Sequence, residues 1–256
     1  AFAPIQAAPQ FYDASDALES NSELGMPVIA WVNDLTNPMY ADWPKTLKDM
    51  MRYRWMNGLP LIQQNFFQLV VLLDMRDPQA LLLLGMYLDA TLMDYAIRWG
   101  IVPLLEDEDC HVLAQLLWLG MEQLAALEIP LFLQKLAATP LTPEGRVDPK
   151  QARAVLRSML PASAQEDNEL MAFLNGGERI SGYKRLLELA KSYLGRLHTM
   201  KRPGSSGVAY FNGQEVSLDE HLISQVFAAT KHQLQMAWDD IRDGYIDSQD
   251  RYTPVS

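Results

Sequence analysis

The sequence predicts an all-α protein, either a multi-helix bundle or a set of stacked helical hairpins, with one small β-hairpin and an irregular N-terminal arm. Two observations carry this prediction. Leu81–Leu92 and Leu116–Leu127 are identical at seven positions with an offset of 35 residues, a spacing that two helices and two short turns occupy. Residues 183–197 place apolar side chains at helical spacing and charged side chains elsewhere.

The first 41 residues show no sustained period and are predicted to form an extended N-terminal arm. They contain four prolines, and proline interrupts both helical and sheet hydrogen bonding. The apolar patch at 28–32 is expected to dock onto the body of the protein.

Residues 42–138 are predicted to form a helical-hairpin domain. Helix starts are marked by an aspartate with an early proline, as at Asp77-Pro78, and by an acidic first turn at 106–109. The expected helices are 42–57, 60–75, 77–100, 106–127 and 130–138.

The proline-containing stretch 139–145 is the clearest linker in the chain. Residues 146–256 follow it as a C-terminal helical region, which forms either a second domain or part of the first. Asp148-Pro149 repeats the helix-start signal, and Ser163 with Glu166 forms a capping-box pattern before the next helix.

Residues 201–216 break the helical pattern. Asn212-Gly213 lies between two short apolar flanks, which is the usual sequence of a two-residue turn. The sequence therefore predicts one small β-hairpin at 208–216, followed by a last helix that begins near Ser217.

Bulk composition restricts the classes of function. With 49% hydrophobic and 21% charged residues the chain is expected to be globular and soluble. Its net charge of −11 disfavours nucleic acids and anionic membranes as partners, and no stretch is predicted to span a membrane.

The start at Ala1 fits a mature end left by a targeting peptidase and equally a trimmed start, so export, organelle import and other compartments stay open.

The single cysteine excludes an intrachain disulfide and is expected to be structural. Cys110 and His111 would point about 100° apart on a helix, and the neighbouring carboxylates are expected to raise the pKa of the thiol. Glu108 and His111 form one Glu-x-x-His pair, whereas a di-iron bundle needs two such pairs and two further glutamates. The sequence predicts no cofactor.

A second acidic motif lies near the C-terminus. Asp239, Asp240 and Asp243 form a pattern that resembles the aspartate-rich motif of isoprenoid synthases, whose carboxylates bind magnesium and a substrate diphosphate. Those enzymes need a second metal-binding motif, and only Asp247 and Asp250 follow here. A solvated acidic face is the favoured interpretation, and a magnesium-dependent all-α enzyme is the alternative.

The chain is also rich in methionine and tryptophan, with 13 and 6 residues. The predicted helix 42–57 carries Trp43, Met51 and Trp55 among other large apolar residues that cannot all face one side, so it is either buried all round or meets a partner. These three residues are the candidates for partner binding. The sequence predicts a non-enzymatic subunit, adaptor or scaffold that binds another protein or further copies of itself; a carrier of a small apolar ligand is a further alternative.

Overall fold

A five-stranded mixed sheet organises the described part of the protein. The structure is a computed structural model, and it describes residues 28–46, 61–177, 180, 182–196 and 207–231. The strand order is β1-β3-β2-β4-β5. The strands are β1 (Ala30–Trp31), β2 (Phe67–Leu73), β3 (Ile97–Pro103), β4 (Val208–Phe211) and β5 (Gln214–Ser217).

Helices follow and connect these strands. The helices in the described ranges are α1 (Pro78–Thr91), α2 (Glu108–Gln123), α3 (Ile129–Ala137), α4 (Pro149–Met159), α5 (Asn168–Leu174), α6 (Tyr183–Arg196) and α7 (222–231). Short 3-10 turns lie at Pro38–Tyr40, Ala126–Glu128 and Ala162–Glu166.

The two inner strands β2 and β3 run parallel, with Phe67 opposite Ile97 and Leu73 opposite Pro103. α1 connects them, because parallel strands need a long crossover. Six of the seven residues in each strand are buried, so both faces of this strand pair are covered. The remaining neighbours in the sheet are antiparallel.

The all-α prediction is wrong, because two segments assigned to helices contain the inner strands. The predicted helix 60–75 holds β2, and the predicted helix 77–100 is α1 followed by the start of β3. A strand that is buried on both faces is apolar at nearly every position and loses the alternation that identifies a half-exposed strand. Such a run cannot be distinguished from a buried helix by its period alone.

The helical-hairpin arrangement is wrong for the same reason, since the first of the two similar helices leads into a strand. Both duplicated segments do begin as helices, but the second helix ends at Gln123, before its copy is complete. Their glycines have related settings against α3. A Cβ on Gly85 would lie 2.8 Å from Cγ of Gln134, and one on Gly120 would lie 3.2 Å from Cε1 of Phe132.

The predicted β-hairpin is confirmed. β4 and β5 are joined by Asn212 and Gly213, whose φ angles are 44° and 82°. Positive φ at both turn residues suits the right-handed twist of the two strands. Through β4 the hairpin pairs with β2, so one sheet contains strands from both sides of the stretch 139–145.

The central part of helix α2 is buried on every side. Eight consecutive residues, Leu113 to Gly120, are buried, and a run of that length covers every side of a helix. The ring of Trp118 stacks on Tyr183 of α6 at 6.2 Å between centroids, and its Nε1 donates to the carbonyl of Val28, 3.4 Å away. The patch at 28–32 thus lies against the body, where it provides β1.

Within the residues that the structure describes, no helix is both long and apolar enough to cross a membrane.

Candidate functional site

Ligands in open α/β sheets bind outside the carboxyl ends of the strands, and here the parallel strands β2 and β3 end at one edge of the sheet. α1 and α2 both begin at this edge. Asp77 caps α1 by accepting the backbone N–H of Gln79 at 2.9 Å, and Asp107 caps α2 by accepting that of Cys110 at 2.9 Å. The edge therefore presents two helix N-termini side by side.

Arg76 lies between these helix starts and is 5% exposed. Its guanidinium donates from Nε and Nη2 to the carboxylate of Asp74, both at 3.0 Å. It also donates from Nη2 to Oε2 of Glu106 and from Nη1 to Oδ2 of Asp107, each at 2.5 Å. These bonds use four of its five N–H donors, and the hydrogen bonds with Asp74 raise the pKa of Arg76. We call these four residues the Arg76 cluster; its internal hydrogen bonds leave one guanidinium N–H donor outside these four bonds.

Cys110 lies in the first turn of α2, where a helix N-terminus would favour a thiolate. Its side chain is fully buried, and burial raises its pKa from 9.0 to about 11. A raised pKa was expected from the sequence, with the neighbouring carboxylates as its cause. In the structure the largest cause is the burial of the thiol away from solvent. A rise of this size in the pKa leaves about 100-fold less thiolate at neutral pH than an ordinary thiol would carry.

The Glu108–His111 pair of the sequence makes a long contact across one turn of α2. Nδ1 of His111 lies 3.5 Å from Oε1 of Glu108, whose side chain is 78% exposed. Among the described residues no group of three or more His, Cys, Asp or Glu side chains is placed to hold a metal ion.

Of the three candidates for partner binding, the structure describes Trp43. Trp43 is half-buried and packs against Tyr40, with ring centroids 4.6 Å apart. Met51 and Trp55 lie outside the described residues, as do Asp239, Asp240 and Asp243. The enzyme alternative presupposed an all-α fold, which the sheet contradicts.

A small cleft opens between the end of α2 and the starts of α5 and α6. Its volume is about 190 Å³, and its lining includes Glu122, Asp167 and Tyr183. The Tyr183 hydroxyl donates to Oε2 of Glu122 at 2.6 Å, and burial together with this carboxylate raises the pKa of Tyr183. The cleft is smaller than the roughly 300–1,000 Å³ of typical small-molecule sites.

Sequence reasoning missed an exposed apolar surface formed by α1 and α3. Leu82 and Met86 of α1 are 47% and 57% exposed. Leu127, in the 3-10 turn just before α3, is 55% exposed, and Leu131 of α3 is 48% exposed. We call these four residues the α1–α3 face. Its two halves adjoin where Gly85 meets α3, since a Cβ there would lie 3.0 Å from the carbonyl oxygen of Pro130.

A signal for this face was present in the sequence. α1 contains hardly any polar residues apart from Gln79 and Asp89, and a helix without a polar face is either buried or contacts a partner. In the duplicated segment, the equivalents of Leu82 and Met86 are Leu117, fully buried, and Met121, half-buried. The same pattern is thus core in α2 and partly exposed in α1.

The Arg76 cluster predicts a pH dependence of stability. The Cys110 backbone N–H and the Arg76 guanidinium hold the pKa of Asp107 below its usual 3.8. A carboxyl with a depressed pKa contributes stability that is fully present above the unfolded value and lost as pH falls through the folded one. The free energy of unfolding of the wild type should therefore fall more steeply below about pH 4 than that of Asp107→Asn.

Asparagine can keep the N-cap acceptor for the Cys110 N–H, but it loses the oxygen that accepts from Arg76. That loss lowers the stability of the variant at every pH, whereas only the wild type gains a proton at position 107, so the slopes of the two curves isolate the titration of Asp107. Urea unfolding from pH 7 to pH 2 measures both curves. Parallel curves through the acid range would contradict the assignment.

The chain was compared with known protein families and with curated proteins. A family model described as a thioredoxin-like domain matches residues 12–255, nearly the whole chain. The comparison with curated proteins gave no match.

Proposed function

We propose that this chain, which belongs to the family of thioredoxin-like domains, works by binding another protein and not by thiol–disulfide exchange. It would act as a subunit, adaptor or scaffold of a larger assembly. The proposal follows from which groups the described surface exposes and which it buries.

The cysteine content supports the negative half of the proposal. Exchange through an intrachain pair needs two cysteines, typically Cys-x-x-Cys with one thiol of depressed pKa. This chain has one cysteine, which is buried and has a raised pKa. At the edge where α1 and α2 begin, the Arg76 cluster takes up the space with a structural ion network.

The observation that carries the positive half is the α1–α3 face. Single exposed apolar residues are ordinary, whereas several on adjoining elements mark an interaction site. Both supporting helices are held by close contact at Gly85, so the face is presented on a rigid base. The predicted partner-binding role of Met51 and Trp55 stays a prediction beside it.

The test compares two kinds of variant in one assembly assay on the full chain. Leu82→Lys with Met86→Lys should abolish co-purification with the native partner, because two charges would have to be buried in the interface. Cys110→Ala should leave co-purification unchanged. Gln151→Lys, at an exposed position on α4, is the matched control for added charge, and all variants should keep their melting temperatures within a few degrees.

A chemical measurement tests the thiol separately. A thiol-alkylating reagent should label the native protein at least about 100-fold more slowly than the urea-unfolded protein, because the folded state buries the sulfur and suppresses the thiolate. Rapid labelling of the native chain, or loss of the partner on Cys110→Ala alone, would contradict the proposal.

A further inference from the structure

We propose that the occupant of the α1–α3 face is an amphipathic α-helix with basic residues at the end that lies over the C-terminus of α1. This inference rests on the proposed function and adds the chemistry of the partner. Three properties of the face lead to it: its shape, its area and its charge.

The shape of the face suits a helix. Leu82 and Met86 lie on one side of α1. Met93, 45% exposed, lies in the turn that follows the helix, where a backbone N–H still donates to the carbonyl four residues earlier, as in a helix. This stripe is about 17 Å long at 1.5 Å per residue, or about three helical turns. Leu127, just before α3, and Leu131 of α3 form a second apolar row beside it. A helix packs its side chains at i, i+3 or i+4, and i+7 into such an arrangement.

The area of the face argues against a second copy of the chain as occupant. Together with Met93, the five half-exposed leucine and methionine side chains offer on the order of 400 Å² of apolar surface. A stable dimer interface buries about 800 Å² on each partner. One helix laid along the two rows matches the available area, whereas a self-association through this face alone would be too small.

The charge around the face favours a partner segment of positive charge. Asp89 and Asp94 are exposed at and just beyond the end of α1, where the helix dipole is also negative. Along the other row, the exposed Glu128 and the exposed Lys135, one turn beyond Leu131, carry opposite charges. The excess of negative charge therefore lies at the end of α1. The net charge of −11 strengthens attraction to a basic segment at long range.

The experiment selects binders from a phage-displayed library of random 16-residue peptides against the full chain. Selected peptides are then synthesised and their affinities measured by fluorescence anisotropy. We expect apolar residues at helical spacing with lysine or arginine clustered at one end. These peptides should bind Leu131→Lys and the Leu82→Lys/Met86→Lys double variant at least about tenfold more weakly than the wild type, and Gln151→Lys equally well.

The charge is tested with Asp89→Lys combined with Asp94→Lys. This reversal should weaken the basic peptides about tenfold or more at low salt, and the difference should shrink as salt is raised. Circular dichroism should show that the peptides gain helix on binding the wild type.

The outcomes separate the two proposals. Peptides that depend on the α1–α3 face but are extended, acidic or uncharged would overturn the helix inference and leave the proposed binding function standing. Peptides that bind elsewhere, unaffected by lysine at 82, 86 or 131, would overturn both. Basic helical peptides that lose affinity in the face variants and in the charge reversal support both.

Discussion

Replacing Trp118 by alanine is expected to lower the free energy of unfolding by about 3–5 kcal/mol, the range for removing a fully buried large ring. Trp118 has no solvent exposure and lies in the middle of α2. Its ring contacts Tyr183 of α6, and its indole N–H reaches the carbonyl of Val28 ahead of β1. One side chain thus joins three separate parts of the fold, and the cavity left by alanine would loosen all three.

Urea unfolding followed by circular dichroism measures this effect. Trp118→Phe is the matched control, because it keeps most of the ring volume and loses only the N–H donor and part of the packing; we expect less than half of the loss seen with alanine. A change below about 1 kcal/mol for Trp118→Ala would contradict the packing that the structure shows.

The second large effect is expected at Arg76. Arg76→Met leaves the carboxylates of Asp74, Glu106 and Asp107 close together without their cation. Breaking a fully buried ion pair costs about 3–5 kcal/mol, but the side chains of Glu106 and Asp107 are 64% and 46% exposed, and water will screen them. We therefore expect a loss of about 2–3 kcal/mol at pH 7.

Two controls distinguish ion pairing from packing at Arg76. Arg76→Lys keeps the charge but has no planar fork to serve three carboxylates, so we expect an intermediate loss. At pH 2 the carboxylates are mostly protonated, and the gap between wild type and Arg76→Met should narrow. A gap that is the same at both pH values would mean that the aliphatic part of the side chain, and not the charge, provides the stability.

Local rules predicted the parts of this fold that local sequence determines. Asp77-Pro78 and Asp148-Pro149 start helices as expected, because capping acts within one turn. Asn212-Gly213 forms its turn for the same reason. The inner strands were missed because their assignment depends on burial by elements far away in the sequence, and a run such as Phe67–Leu73 shows no alternation that would reveal it.

At the candidate sites, too, the sequence predicted what depends on neighbouring residues and missed what depends on distant ones. The acidic stretch that starts α2 was expected as a helix N-terminus, and Asp107 does cap it. Nothing local, however, pairs Arg76 with Glu106, which lies 30 residues away. The α1–α3 face depends on which side of α1 the rest of the protein leaves uncovered. The similar segment in α2, identical at seven positions, buries the residue equivalent to Leu82, so sequence pattern alone does not decide exposure.

The pairing of β2 with β4 has a consequence for biosynthesis. The backbone N–H of Gln68 donates to the side chain of Asn212, 144 residues later in the chain. At typical translation rates of about 5–20 residues per second, roughly 7–30 s separate the appearance of these two partners on the ribosome. During that interval one edge of β2 has no strand to pair with, while its apolar side chains are already outside the exit tunnel. Growing chains of this protein should therefore depend on chaperones until the hairpin emerges. Ribosome-bound chains that end before residue 208 should aggregate more readily than chains long enough to hold residues 208–217 outside the exit tunnel.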